Sequence, residues 1–141
     1  MISVVDSSVA VKWYAAESDS ERAAALIPHP LIAPDLIRAE VANALWKKLR
    51  LRQIARAQAV DALPHLSRTI TLLPSEAFAE DAFELSLELG HPVYDCFFLV
   101  LARTLDFPLI TSDKRLWLRT RDTALESLVI NLGDWREPDG V

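Results

Sequence analysis

Four acidic residues stand where an acid needs a reason. Asp6 directly follows the apolar run that ends in Val4-Val5, and Asp113 follows Leu109-Ile110-Thr111-Ser112. Glu40 lies among Ile37, Ala39, Val41 and Ala42, and Asp95 opens the apolar stretch Tyr94-Asp95-Cys96-Phe97-Phe98-Leu99-Val100. Gathered in one cleft, four carboxylates repel one another unless protons or cations compensate. Hard oxygen ligands without His or Cys point to Mg²⁺, with Mn²⁺ as a substitute. Such a cation keeps several waters, binds phosphate and activates an attacking water, which is the chemistry of phosphodiester hydrolysis.

Each acid also has a structural reading. Asp6 is placed to cap a helix, Asp95 and Asp113 sit in first turns where acids suit the helix dipole, and Glu40 could pair with Arg38 or Lys47. Other chemistries lack their signatures. The only glycines are at 90, 133 and 140, so no dinucleotide fingerprint or P-loop follows the first strand. His29, His65 and His91 lack metal-ligand spacing, Cys96 stands alone, and no G-x-S-x-G elbow occurs. Two other classes stay open: a doubly wound phosphohydrolase acting on small phosphate esters, and a non-catalytic binding module. For the first, Ser8 occupies the place where a dehalogenase-like phosphatase wants a second Asp.

The elements that must position these acids alternate. Ile2 to Val5 reads as a strand, with Ser7 and Ser8 as cap residues for a helix reaching Tyr14. Ser18 with Glu21 reads as a capping box for a helix to Ile27, stopped by Pro28 and Pro30. Leu31-Ile32-Ala33 reads as a strand, followed by a long helix from Leu36 to about Leu51. The pattern then predicts one helix over 55–66, a strand over 69–73, and a helix from Ser75 to Leu89 closed by Gly90. A buried helix from Tyr94 to Leu105, a strand at 109–111, a helix over 114–121 and a strand at 128–130 complete the set. Short apolar strands between helices predict a three-layer α/β/α fold around a mostly parallel sheet of about five strands. At 141 residues one domain is expected, over 1–136, with 137–141 a short tail.

The segments Val4-Val5-Asp6-Ser7-Ser8, Pro34-Asp35-Leu36-Ile37-Arg38-Ala39-Glu40-Val41-Ala42-Asn43-Ala44-Leu45, Tyr94-Asp95 and Leu109-Ile110-Thr111-Ser112-Asp113-Lys114-Arg115-Leu116 resemble the PIN-domain ribonucleases. The particular likeness is to the VapC toxins of bacterial toxin–antitoxin modules, and it runs in order from residue 2 to about 132. The resemblance implies a PIN fold and an endoribonuclease whose metal-binding and catalytic acids are Asp6, Glu40, Asp95 and Asp113. Ser8 and Thr111 would be supporting polar residues, and Asn43, on the helix side between Glu40 and Lys47, is a third candidate. The products would carry a 5′-phosphate and a 3′-hydroxyl. Implied partners are an RNA substrate, a cognate VapB-type antitoxin and a second copy of the chain.

An acidic balance, 15 Lys+Arg against 20 Asp+Glu, normally argues against a nucleic-acid partner. Its distribution removes the objection. Residues 41–75 hold six Lys/Arg and one acid, a local +5 within a chain of net charge −5. Lys47, Lys48, Arg50, Arg52 and Arg56 form a candidate phosphate-tracking strip beside the acids, or else a solvated helix end. Trp13, Tyr14, Trp46 and Trp117 are expected in the core more than at an interface. One cysteine, no apolar run of membrane-spanning length and a start unlike a signal peptide make the cytoplasm the expected compartment, with no membrane partner.

Overall fold

A computed structural model describes residues 1–139. Five strands, β1 (Ser3–Val5), β2 (Leu31–Pro34), β3 (Thr71–Leu73), β4 (Leu109–Thr111) and β5 (Val129–Asn131), form one parallel sheet in the order β3-β2-β1-β4-β5. The chain winds outward from β1 through β2 to β3, then returns to lay β4 on the other side of β1. The reversal of strand order therefore falls between β1 and β4, paired Val4 to Leu109 and Val5 to Ile110. Beyond the carboxyl ends of such a pair, a doubly wound sheet leaves a crevice.

The helices are α1 (Ser7–Ala10), α2 (Ser20–Ala24), α3 (Ile37–Arg50), α4 (Arg56–Ala59), α5 (Ala62–Thr69), α6 (Ala79–Leu89), α7 (Val93–Leu105) and α8 (Lys114–Thr120). Short 3₁₀ turns extend α1 through Val11–Trp13 and precede α6 at Ser75–Phe78. The core is continuous: Val4, Val5, Leu109 and Ile110 of the central strands are fully buried with Phe98, Leu99 and Leu101 of α7. Burial of both sheet faces explains why these strands are apolar runs and do not alternate.

Several local expectations are corrected. The single helix expected over 55–66 is two, α4 and α5, with Val60 and Asp61 between them. Pro64 lies in the first turn of α5, where its missing N–H costs nothing, but its ring would clash with the carbonyl four residues back in a continuous helix. Helix α5 runs to Thr69, so β3 begins only at Thr71. No capping box forms at Ser18: α2 starts at Ser20 behind Asp19, which has φ 63° and makes no side-chain cap bond. The cap of α1 is supplied by Asp6, which accepts from the Val9 backbone N–H, and by neither Ser7 nor Ser8. Trp46 is 52% exposed and lies outside the core, whereas Trp13, Tyr14 and Trp117 pack partly buried against it. Glu137, the first residue of the expected tail, meets His29 at 3.1 Å; residues 140 and 141 of that tail lie outside the described residues. Among the described residues no single helix is long and apolar enough to cross a membrane.

Candidate active site

Asp6 is delivered by β1 to the carboxyl edge of the sheet and is 4% exposed. Three donors fix its carboxylate. Ser8 Oγ donates to Oδ1 at 2.5 Å, Thr111 Oγ1 donates to Oδ2 at 2.5 Å, and Val9 N–H donates to Oδ1 at 3.3 Å. Thr111 is the last residue of β4, so one hydroxyl ties the two central strands together at their ends. The same Thr111 Oγ1 accepts from the Asp113 N–H at 3.0 Å, and Ser8 Oγ accepts from the Ser112 N–H at 2.9 Å. The loops after β1 and β4 thus share one hydrogen-bonded network.

Asp113 caps α8: its Oδ1 accepts from the Arg115 and Leu116 N–H groups at 2.9 and 3.3 Å. That bonding holds the side chain in one rotamer and leaves Oδ2 outside the cap. Asp95 lies in the first turn of α7, and its Oδ2 meets Nε2 of the buried His91 at 2.6 Å. His91 is a site residue absent from the sequence expectations. Its signal was the i, i+4 spacing to Asp95, which places both on one side of the turn entering α7. Glu40 projects from α3 without either of the salt bridges considered for it. Among the described residues its buried Oε1 has no hydrogen-bond partner, and Arg38 turns away to Ser67.

The electrostatics join these acids into one group. Burial pushes Asp6 up to about 6, against the hydrogen bonds from Ser8 and Thr111, and the charge of Asp95 adds to the rise. Burial pushes Glu40 up to about 7, with Asp95 and Asp6 adding repulsion and the Ser7 hydroxyl partly offsetting it. Asp95 is raised by burial and by Asp113, while His91 and Arg115 act the other way. Among the described residues, no group of three or more His, Cys, Asp or Glu side chains stands close enough together, as placed, to hold a metal ion. The arrangement is a set of mutually repelling carboxylates, one with a buried oxygen lacking any donor. A divalent cation drawn in among these carboxylates would satisfy that oxygen and offset the burial and repulsion that otherwise favour protons.

The remaining expected residues are scattered around this centre. Asn43 is exposed one turn beyond Glu40 on α3, without a side-chain hydrogen bond. Lys47 is exposed, and Lys48 pairs with Glu17 at 2.5 Å. Arg50 lies over the Trp46 ring at 5.3 Å, Arg52 follows α3 with φ 58°, and Arg56 lines an apolar groove with Trp46. Lys48 turns towards the loop after α1, while Arg50 and Arg56 turn to the groove. A larger hollow of about 610 Å³, between α2 and Trp135–Glu137, contains none of the four acids.

Residues 3–122 match the PIN domain family. Ribonuclease VapC3 of Pyrobaculum aerophilum is 35% identical over 118 residues, spanning 80% of this chain and 90% of that protein. Ribonuclease VapC1 of Mycobacterium tuberculosis is 36% identical over 89 residues, 60% of this chain and 63% of its own length. Among solved structures, one from Pyrobaculum aerophilum superposes with TM-score 0.70 at 22% identity, covering 94% of this chain and 90% of that one. A toxin–antitoxin complex from Klebsiella pneumoniae gives TM-score 0.63 at 18% identity, covering 92% and 97%. These two likenesses concern the fold.

Proposed function

The chain belongs to the PIN-domain family, among its VapC-type ribonucleases, and from that premise we propose that it is the toxin of a toxin–antitoxin module. Its activity is endonucleolytic hydrolysis of RNA phosphodiester bonds at Asp6, Glu40, Asp95 and Asp113, with Mg²⁺ or Mn²⁺ as cofactor. The observation that carries this reading is the group of mutually repelling carboxylates around the buried Asp6, with Glu40 Oε1 lacking a hydrogen-bond partner among the described residues. A structural salt bridge or cap would leave no such oxygen.

In this reading Asp6, Glu40 and Asp95 hold the cation, and Asp113 completes the set. When bound, the cation supplies Lewis acidity towards phosphate and lowers the pKa of water at neutral pH. The chain's own groups supply order. Ser8 and Thr111 lock both oxygens of Asp6, so the carboxylate loses no rotamer freedom on binding. His91 orients Asp95 as second-layer partners of carboxylate ligands do. The α8 cap aims Asp113.

A VapB-type antitoxin restrains the toxin in the cytoplasm. The groove between α3 and α4–α5, about 510 Å³ and lined by Leu45, Trp46, Leu49, Val60 and Leu63, suits an apolar helical segment of that partner. The chain also pairs with a second copy, and the exposed apolar residues Phe83 and Leu87, one turn apart on α6, are available to such a contact. Gel filtration giving a clean monomer at micromolar concentration removes the dimer.

Incubation of the purified protein with total RNA and Mn²⁺ or Mg²⁺, followed by mapping of new 5′ ends, tests the activity. Defined cuts that vanish in Asp6→Asn are expected. Hydrolysis of small phosphate monoesters with intact RNA would assign the site to a phosphohydrolase instead.

A further inference from the structure

Lys12 lies in the 3₁₀ turn after α1 with only 8% of its surface exposed. Its Nζ donates to Glu17 Oε2 at 3.2 Å and to the Ser18 carbonyl at 2.7 Å. Lys48, from the last turn of α3, reaches the other oxygen, Glu17 Oε1, at 2.5 Å. Two ammonium groups on one carboxylate leave one positive charge in surplus. Burying such a group for structure alone is a poor bargain, since an apolar side chain of similar volume usually serves stability as well or better.

What the three residues share is an open hollow of about 290 Å³, lined by Lys12, Glu17 and Lys48 and by Ser7, Ser8 and Ser112. The serines are the link to the acids. Ser8 donates to Asp6, Ser112 donates its N–H to Ser8, and the Ser7 hydroxyl acts on Glu40. One wall therefore has carboxylates behind it and ammonium groups along it. A polyanionic strand approaching four carboxylates is repelled unless cations close to the centre hold it. Of the basic residues at the end of α3, Lys48 alone makes contact with this hollow, because Arg50 and Arg56 are engaged around Trp46.

We propose that this hollow is a phosphate subsite in which Lys12 and Lys48, braced by Glu17, hold a backbone phosphate of the RNA next to the scissile one. The inference rests on the ribonuclease reading and names residues that position its substrate; none of the three touches the reacting atoms.

Steady-state cleavage of an end-labelled single-stranded oligoribonucleotide carrying a mapped cut site, in Mn²⁺ over a series of salt concentrations, tests it. Lys48→Gln and Lys12→Met are expected to raise KM about tenfold with kcat unchanged. Each should make the dependence of log(1/KM) on log salt shallower by about 0.7, the share of one phosphate contact on a single strand. Lys48→Arg should restore KM and slope. Lys48, on a more exposed side chain, keeps the test alive should Lys12→Met fail to fold. If Lys48→Gln lowers the melting temperature while KM and salt slope stay put, the three residues are a structural ion cluster and the subsite is overturned. If the wild-type chain cuts no RNA at all, the ribonuclease reading falls and takes the subsite with it.

Discussion

Asp6 serves two masters at the residue scale: it caps α1 through Val9 and presents a buried carboxylate to Glu40 and Asp95. Buried and repelled, Asp6 and Glu40 keep their protons to about pH 6 and about pH 7, above the ordinary 3.8 and 4.5 of the unfolded chain. Between these limits the unfolded chain binds fewer protons than the folded one. What these two groups contribute to the stability of the metal-free protein is therefore whole below about pH 4 and is lost as pH rises towards 7. For Asp6 alone the loss reaches about 3 kcal/mol at most. Urea melts in chelator across this window should show a flatter decline for Asp6→Asn than for wild type. His91 is the second case. With His91→Ala, Asp95 loses its orienting partner, and RNA cleavage should fall about 10- to 100-fold while the fold survives, as judged by circular dichroism. Position singled out all four acids as candidates, although each also has a structural reading, and Asp6 and Asp113 do cap α1 and α8. It did not single out His91, Lys12 or Glu17. Their roles depend on which side chains meet after folding, and a lysine or histidine at a surface spacing looks the same whether or not it ends up buried.

Among the elements, strand and helix order was readable from apolar runs and periodicity, and the misses lie at ends and breaks. Expected caps at Ser7, Ser8 and Ser18 fail because Asp6 supplies the α1 cap and α2 starts two residues late, at Ser20 behind Asp19. The split of α4 from α5 was written in Pro64, but a proline in a helix marks either a first turn or a kink, and sequence alone does not choose. The C-terminus of α6 was legible for a firm reason. Gly90 has φ 62°, a left-handed conformation that closes the helix and turns the chain towards His91 and α7. A Cβ added there would meet nothing within 4 Å, so the cost of Gly90→Ala is backbone strain alone. Destabilisation of about 1 kcal/mol in urea unfolding is expected.

At the scale of the molecule, the reversal of strand order between β1 and β4 decides where chemistry can sit. It brings Asp6 and Asp113 together across 107 positions of sequence through Thr111 and Ser8. The net charge of −5, read as a whole, obscured an acidic centre with cations distributed over two faces. One of those faces is the groove around Trp46, which is too exposed to contribute much to folding. Trp46→Ala should therefore shift stability by less than about 1 kcal/mol, yet weaken antitoxin binding at least about tenfold by calorimetry, as loss of an aromatic anchor does. The same groove explains why a tryptophan expected in the core lies outside it.

The central claim, that the repelling carboxylates are a cation site, is tested by the melting temperature under Mn²⁺ titration at pH 7.5, with wild type and Glu40→Gln side by side. A cation at a hundredfold excess over its dissociation constant adds about 2.7 kcal/mol. The wild type should thus melt several degrees higher with Mn²⁺, and Glu40→Gln, starting from a more stable metal-free state, should gain little. No shift in the wild type, or an equal shift in both proteins, would contradict it.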